Sequence, residues 1–183
     1  MQKQKKVALT VKAMASLAML TAISIILGKY LALPIGEVLR FSFENLPIIF
    51  AGIAFGPFAA VLVAVCADLL GCIMVGFTVN PIVTAGAAAI GLISGAVPLI
   101  FRNGSKKRSA PIIALTVSLS HLIGSVVVKT FGLAVFYDMH IGILMLWRLF
   151  NYCIVAALEI LLLTLLFKNK ALLNQLGKIT GKT

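Results

Sequence analysis

The residues of this sequence that could do chemistry are a few charged side chains within long apolar stretches. Lys29, Lys129 and Arg148 are basic, and Asp68 is acidic. A charge at membrane depth costs about 3 kcal/mol or more, so such residues usually face a cavity or a partner. Two interpretations are open. The charges form internal ion pairs, for instance Asp68 with Lys129 or Arg148, or an anionic ligand balances the excess of cations.

Helical spacing places further polar side chains beside these charges. His121 and Ser125 precede Lys129 at intervals of four residues, which puts the three on one helix face. Asn151 follows Arg148 by three residues and shares its face. A planar guanidinium suits a carboxylate, and an amide supplies donors and an acceptor, so both faces are candidates for ligand binding. His121 could equally hydrogen-bond to a neighbouring helix.

The elements that must position these side chains are strongly apolar. The chain has 183 residues, of which 61% are hydrophobic and 11% are charged. A soluble domain is about 25% charged, and three cysteines are too few for a disulfide framework. These values exclude a soluble globule, a disordered chain and a disulfide scaffold. The net charge of +11 in so apolar a chain indicates membrane topology rather than nucleic-acid binding.

Hydropathy and positive charge together predict the spans. Most basic residues lie near the N-terminus, at 102–108 and in the C-terminal tail, and the positive-inside rule places all three in the cytoplasm. An even number of helices must separate the first two clusters, so the apolar run 46–77 is divided at Gly56-Pro57. We expect an all-α membrane protein, a single integral domain over 1–183, with six transmembrane helices, cytoplasmic termini and a polar pocket in the outer half. The predicted helices span about 10–33, 46–55, 57–76, 80–101, 111–137 and 141–168.

Two further features of the sequence are a loop with a β-like run and motifs of small residues on the helices. The loop 33–45 contains the β-like run Val38–Phe43, and it is either a lid over the pocket or a plain connector. Ala18 and Ala22, in the first predicted helix, form a small-xxx-small element that lets another helix approach closely. The segment Gly91–Gly95 forms a second element of this kind. Each serves either packing within the bundle or contact with another subunit.

The sequence contains no recognisable energy source or catalytic centre. The terminal Gly181-Lys182-Thr183 lacks the first glycine of a phosphate-binding loop. The cysteines and histidines do not have metal-ligand spacing, and there is no Ser/His/Asp arrangement. We therefore expect no enzyme activity, no cofactor and no metal. A transporter built from this chain must use an ion gradient or borrow an ATPase.

Several motifs resemble a known family. The stretch from Arg40 to Phe58 ends in Phe-Gly-Pro-Phe and is followed by Ala67-Asp-Leu-Leu-Gly and Gly76-Phe-Thr-Val-Asn-Pro. With six short spans, these motifs resemble the substrate-binding S components of energy-coupling factor (ECF) vitamin transporters and are most like the folate-specific branch. The resemblance covers nearly the whole chain. It implies a bacterial plasma-membrane protein that binds its vitamin from outside. Docking through Ala18 and Ala22 would join it to a transmembrane coupling subunit, which binds two cytoplasmic ATPases.

The resemblance also implies a ligand with defined chemistry. Folate has a pterin ring with hydrogen-bonding edges, an aromatic middle and a glutamate dianion. The cations expected to bind the anionic groups are Arg40, Lys129 and Arg148. The polar side chains expected at the ring edges are Asp68, Asn80, His121 and Asn151. The aromatic rings expected to stack on the ligand are those of Phe43 and Tyr137. Tyr137 is also typical of an interfacial aromatic belt. The alternatives are an S component for another vitamin, a small gradient-driven transporter, and an intramembrane enzyme that uses His121 and Asp68.

Overall fold

Helices account for nearly all of the part of the chain that the computed structural model describes, which is residues 10–35, 39–101 and 108–180. At positions 34, 35, 39 and 40 only the backbone is described. The basic residues Lys3, Lys5 and Lys6, those at 102–107 and the predicted role of the Arg40 side chain therefore lie outside the described residues. The helices are α1 (Val11–Tyr30), α2 (Asn45–Phe55), α3 (Pro57–Val75), α4 (Pro81–Ile100), α5 (Ala110–Tyr137), α6 (Ile141–Lys168) and α7 (Lys170–Thr180).

The predicted all-α membrane fold class is confirmed. Five helices, α1, α3, α4, α5 and α6, are long and apolar enough to span a bilayer. α2 is apolar as well but has 11 residues, and most of them are buried. Because α2 is shorter than a typical span, the six-span count and the cytoplasmic position of the termini stay predictions.

A short hairpin precedes α2. Strand β1 (Leu33–Ile35) pairs with strand β2 (Leu39–Phe41) in antiparallel register, with Leu33 opposite Phe41. The second strand falls within the β-like run Val38–Phe43. Residues 42–44 then connect the hairpin to α2.

Backbone chemistry sets the starts of α3 and α4. Gly56 lies between α2 and α3 with a φ of 102°, a value that glycine adopts without steric cost, and Pro57 opens α3. The side chain of Asn80 caps α4, since its Oδ1 accepts hydrogen bonds from the backbone N–H groups of Ile82 and Val83.

Two helices contain π-helical segments at the same end of the bundle. α1 ends in the π-helical turn Ile26–Tyr30, which carries Lys29. α5 is π-helical over His121–Lys129 and returns to α-helix at Thr130. Segments of this kind are rare and often occur at functional sites.

α4 lies at the centre of the packing, in contact with α2, α3 and α5. A Cβ atom on Gly91 would lie 2.7 Å from the carbonyl of Ala60 in α3, and one on Gly95 would collide with the backbone of Pro57. The segment Gly91–Gly95 therefore serves packing within this bundle, which was one of its two interpretations. Helix backbones approach closely where no side chain intervenes.

α7 was not among the helices predicted from the sequence. The side chain of Asn169 accepts hydrogen bonds from the N–H groups of Ala171 and Leu172 at the start of this helix. Leu176 is buried in the hydrophobic core, and Leu172, Leu173 and Ile179 pack against that core. α7 thereby covers the ends of α1 and α6, with which it is in contact.

We expect Gly91→Ala to destabilise the protein. The added Cβ would overlap the Ala60 carbonyl, and overpacking of this kind costs about 1–3 kcal/mol. Thermal unfolding of the purified protein in detergent measures the effect. Gly142→Ala is the matched control, since a Cβ there meets nothing within 4 Å. Equal unfolding temperatures for the two variants would contradict the close α3–α4 contact.

Candidate functional site

A cavity of about 220 Å³ opens at the end of the bundle that holds both π-helical segments. Its walls come from the ends of α1 and α3, the segment after β2, the α3–α4 connection, and the adjoining ends of α4, α5 and α6. The lining residues are Gly28, Lys29, Ser42, Glu44, Asp68, Cys72, Phe77, Thr78, Asn80, Val83, Lys129, Leu133, Tyr137, Arg148, Asn151 and Tyr152. The lining is thus rich in polar groups at a place where the bundle is otherwise apolar.

Lys129 and Glu44 form an ion pair in the cavity wall. The Lys129 Nζ lies 2.7 Å from the Glu44 Oε1, and Lys129 is 4% exposed. Burial tends to raise the pKa of the Glu44 carboxyl, but the nearby Lys129 and Lys29 ammonium groups lower it to about 2. The carboxylate is therefore ionised. One suggested internal pairing of Lys129 was with Asp68, whereas the structure pairs it with Glu44.

Two glycines make room for this ion pair. A Cβ atom on Gly28 of α1 would lie 2.7 Å from the Cβ of Glu44. One on Gly86 of α4 would lie 2.6 Å from the Cγ of Lys129. Both distances are shorter than carbon atoms tolerate, so these two positions require the smallest residue. Glycine at these two positions therefore lets the backbones of α1 and α4 lie close to the ion pair.

Arg148 and Lys29 are cations that have no carboxylate partner within the described residues. Arg148 is 8% exposed, and its Nη2 donates a hydrogen bond to the Tyr152 hydroxyl at 3.1 Å. Its Nε and Nη1 are buried and have no hydrogen-bond partner in the part of the chain that the structure describes. The Lys29 Nζ lies 3.7 Å from the Cys72 Sγ, a weak acceptor. Buried donors without partners are costly, so the cavity wall has donors available for an anion.

The predicted ring-edge residues differ in how far the protein itself uses them. Asn80 is fully engaged, since it caps α4 and its Nδ2 donates to the Gly132 carbonyl at 2.9 Å. Asp68 accepts a hydrogen bond from the Thr84 hydroxyl through Oδ2 at 2.6 Å. Asn151 is 8% exposed and lines the cavity. Asn80 is therefore used by the fold itself, and Asp68 and Asn151 are further polar side chains of the cavity wall.

The structure brings together six of the nine predicted ligand-binding residues. Those that line the cavity are Asp68, Asn80, Lys129, Tyr137, Arg148 and Asn151. Phe43 packs edge-on against Phe41, with ring centroids 5.6 Å apart, outside the lining. His121 also lies outside it and bonds to Glu159 of α6. For Arg40 only the backbone position, in β2, is described.

Ten of the sixteen lining residues were absent from the predicted ligand set, and three of them take part in the polar contacts described above: Lys29, Glu44 and Tyr152. Lys29 was recognised as a charge inside the first apolar run but was not assigned to the ligand. Tyr152 follows Arg148 by four residues, so helical spacing places it on the same face. Glu44 offered no such signal, because its importance depends on a partner 85 residues away.

The predicted docking residues, Ala18 and Ala22, are exposed on α1. The opposite face of this helix is buried through Ala13, Leu17 and Thr21. The alanines therefore leave a surface of small side chains on the outside of the bundle.

Comparisons with known proteins agree on one family. A model of the "ECF transporter, substrate-specific component" family matches residues 12–169. A comparison with curated protein sequences found no significant match. The fold is similar to the crystal structure of FolT bound with folic acid, with a TM-score of 0.69 and 20% identity over 83% of this chain and 90% of that chain.

A second solved structure has the same fold. It is the S component of a bacterial ECF transporter, with a TM-score of 0.59 and 19% identity over 81% of this chain and 91% of that chain. At identities this low, the structural similarity establishes the shared fold alone. The family follows from the family model, whose match covers most of the chain. This chain therefore belongs to the substrate-specific components of ECF transporters.

Proposed function

We propose that this chain binds folate, or a closely related vitamin, in the cavity of about 220 Å³. The observation that carries the proposal is the buried Arg148, whose Nε and Nη1 have no hydrogen-bond partner within the described residues. Anionic oxygens of a ligand would accept hydrogen bonds from these two nitrogens, which lie on different edges of the guanidinium. Lys29, on another wall of the same cavity, adds a second cation for an anionic ligand.

The remaining lining suits the other parts of folate. The pterin ring presents donors and acceptors at its edge, which a carboxylate and an amide such as Asp68 and Asn151 can read. Tyr137, Tyr152 and Phe77 supply rings at the cavity wall, and aromatic rings stack favourably. The similarity in fold to FolT bound with folic acid supports the same ligand class.

Transport requires partners that supply the energy. We infer that α1 docks through Ala18 and Ala22 onto a transmembrane coupling subunit, which binds two cytoplasmic ATPases. The support is the exposure of both alanines and the membership in the ECF family. In this arrangement the chain lies in the bacterial plasma membrane with its cavity facing outward. Its own role is to bind the substrate rather than to catalyse a reaction.

A ligand screen tests the proposed substrate. Purified protein in detergent should bind folate tightly and bind riboflavin, thiamine and biotin weakly or not at all, as measured by isothermal titration calorimetry. The physical reason is that Arg148 and Lys29 can bind the carboxylates of folate, and the Asp68 carboxylate can accept hydrogen bonds from the edge of its pterin ring. Tight binding of one of the other three vitamins, without binding of folate, would contradict the folate assignment and leave the family intact.

Arg148→Ala should weaken folate binding by about tenfold or more, because a hydrogen bond to a charged group contributes about 1.5–3 kcal/mol. Arg108→Ala is the matched control, since Arg108 lies over the ring of Phe167, away from the cavity. Calorimetry gives both affinities. Unchanged affinity in both Arg148→Ala and Lys29→Ala would refute the anion site.

Uptake in cells separates docking from binding. Ala18→Trp together with Ala22→Trp should abolish uptake that depends on a co-expressed coupling module, yet leave folate affinity unchanged, because bulky rings prevent close helix approach. Leu161→Trp, at a position that is 57% exposed on α6, is the control. Loss of folate binding in the alanine variant would show that these residues support the protein's own packing. Uptake by the chain alone, driven by an ion gradient, would contradict the proposed mechanism.

A further inference from the structure

A second polar cluster lies behind the cavity wall, between α5 and α6. Glu159 is 0% exposed and His121 is 3% exposed, and the His121 Nε2 lies 2.6 Å from the Glu159 Oε2. The His121 Nδ1 lies 3.3 Å from the Ser125 Oγ. The remaining carboxylate oxygen, Oε1, is buried without a hydrogen-bond partner in the described part of the chain. None of these three residues lines the cavity.

Both nitrogens of His121 have a hydrogen-bond partner. When Glu159 is a carboxylate, it only accepts, so Nε2 donates to it, and in a neutral ring Nδ1 accepts from the Ser125 hydroxyl. The opposite tautomer would reverse both roles and keep the same two partners. With both nitrogens engaged, the plane of the imidazole ring is held in one orientation.

Tyr152 connects this cluster to the cavity. The rings of His121 and Tyr152 lie 4.8 Å apart between centroids, with an angle of 31° between their planes. The Arg148 Cζ lies 5.5 Å from the centroid of the same tyrosine ring, and the Arg148 Nη2 donates to the Tyr152 hydroxyl at 3.1 Å. The tyrosine is therefore in contact both with the buried histidine and with the cation of the cavity wall.

The burial of Glu159 needs an explanation other than stability. Replacing a buried ionic or polar pair with apolar residues of similar volume is often neutral or stabilising, and Glu159 leaves one oxygen without a partner. A pair of this kind is retained more readily where it orients neighbouring groups. Sites that bind a ligand tightly hold their contact residues in place through a second set of hydrogen bonds.

We propose that Glu159 and His121 are positioning residues for Arg148, acting through the ring of Tyr152. Glu159 orients His121, His121 orients Tyr152, and Tyr152 holds Nη2 of the Arg148 guanidinium, so that Nε and Nη1 are left for anionic oxygens of a ligand. This inference rests on the proposed function in one respect, that the cavity takes an anionic ligand.

The first test is a double-mutant cycle on folate affinity. Glu159→Gln should weaken folate binding by about tenfold when Arg148 is present, the scale of one charged hydrogen bond. In an Arg148→Lys background the same change should cost less than about twofold, the usual error of additivity for independent sites. His121→Asn, a second variant in case Glu159→Gln fails to fold, should follow the same pattern. An equal loss in both backgrounds would overturn the proposal and assign the pair to helix packing.

The matched control is Thr116→Val. Thr116 is 0% exposed on α5, and its hydroxyl bonds within its own helix to the Ile112 carbonyl. This variant removes a buried polar group near His121 without touching the chain of contacts to Arg148. It should lower folate affinity by less than about twofold, and a loss as large as that of Glu159→Gln would count against a specific path through Tyr152.

The second test needs no vitamin. Tyrosine labelled with ¹³C at Cζ gives one NMR resonance for each of the three tyrosines, which Tyr→Phe variants assign. Glu159→Gln should shift the resonance of Tyr152 and leave those of Tyr30 and Tyr137 in place, and Thr116→Val should shift none. An unmoved Tyr152 resonance would overturn the proposal. If the wild type does not bind folate, the proposed function fails, and this spectrum still decides the positioning role.

Discussion

The ion pair between Lys129 and Glu44 is the interaction on which the cavity end of the bundle depends. Lys129 belongs to α5, and Glu44 directly precedes α2, so the pair joins the segment after the hairpin to the opposite wall. A charge left alone in so apolar an interior would be strongly destabilising. Gly28 and Gly86 lack the Cβ atoms that would collide with the two side chains. The glycines of α1 and α4 thus leave the space that one pair of charges requires.

Pairing of Lys129 with Glu44 leaves an excess of positive charge in the cavity. The lining contains three cationic side chains and two carboxylates, so one positive charge has no counterpart among the lining residues. Among the described residues, Arg148 and Lys29 have no carboxylate within salt-bridge distance, and both carry donors for an anion. Such an arrangement is poorly satisfied when empty and well satisfied by an anion, which is the property expected of a high-affinity binding subunit. Membership in the substrate-specific components of ECF transporters agrees with such a role.

The fold class could be predicted from the sequence because apolar runs of this length form helices wherever water is excluded. The faces of single helices were also visible, since His121, Ser125 and Lys129 recur at helical spacing and are all buried. Contacts between helices were not visible. His121 meets Glu159 across 38 residues, and no periodicity indicates which of the few acids reaches which base. The π-helical segments were equally hidden, because they depend on backbone register rather than on composition.

The family match ends at residue 169, whereas the folded chain continues through α7. Leu176 is part of the core, and three further apolar side chains of α7 pack against it. α7 also touches α1, the helix that carries the exposed alanines. Removing the residues after 169 would therefore uncover apolar core surface and take away a helix that packs against α1. The hydrophobic core of this chain thus extends beyond the region that the family model matches.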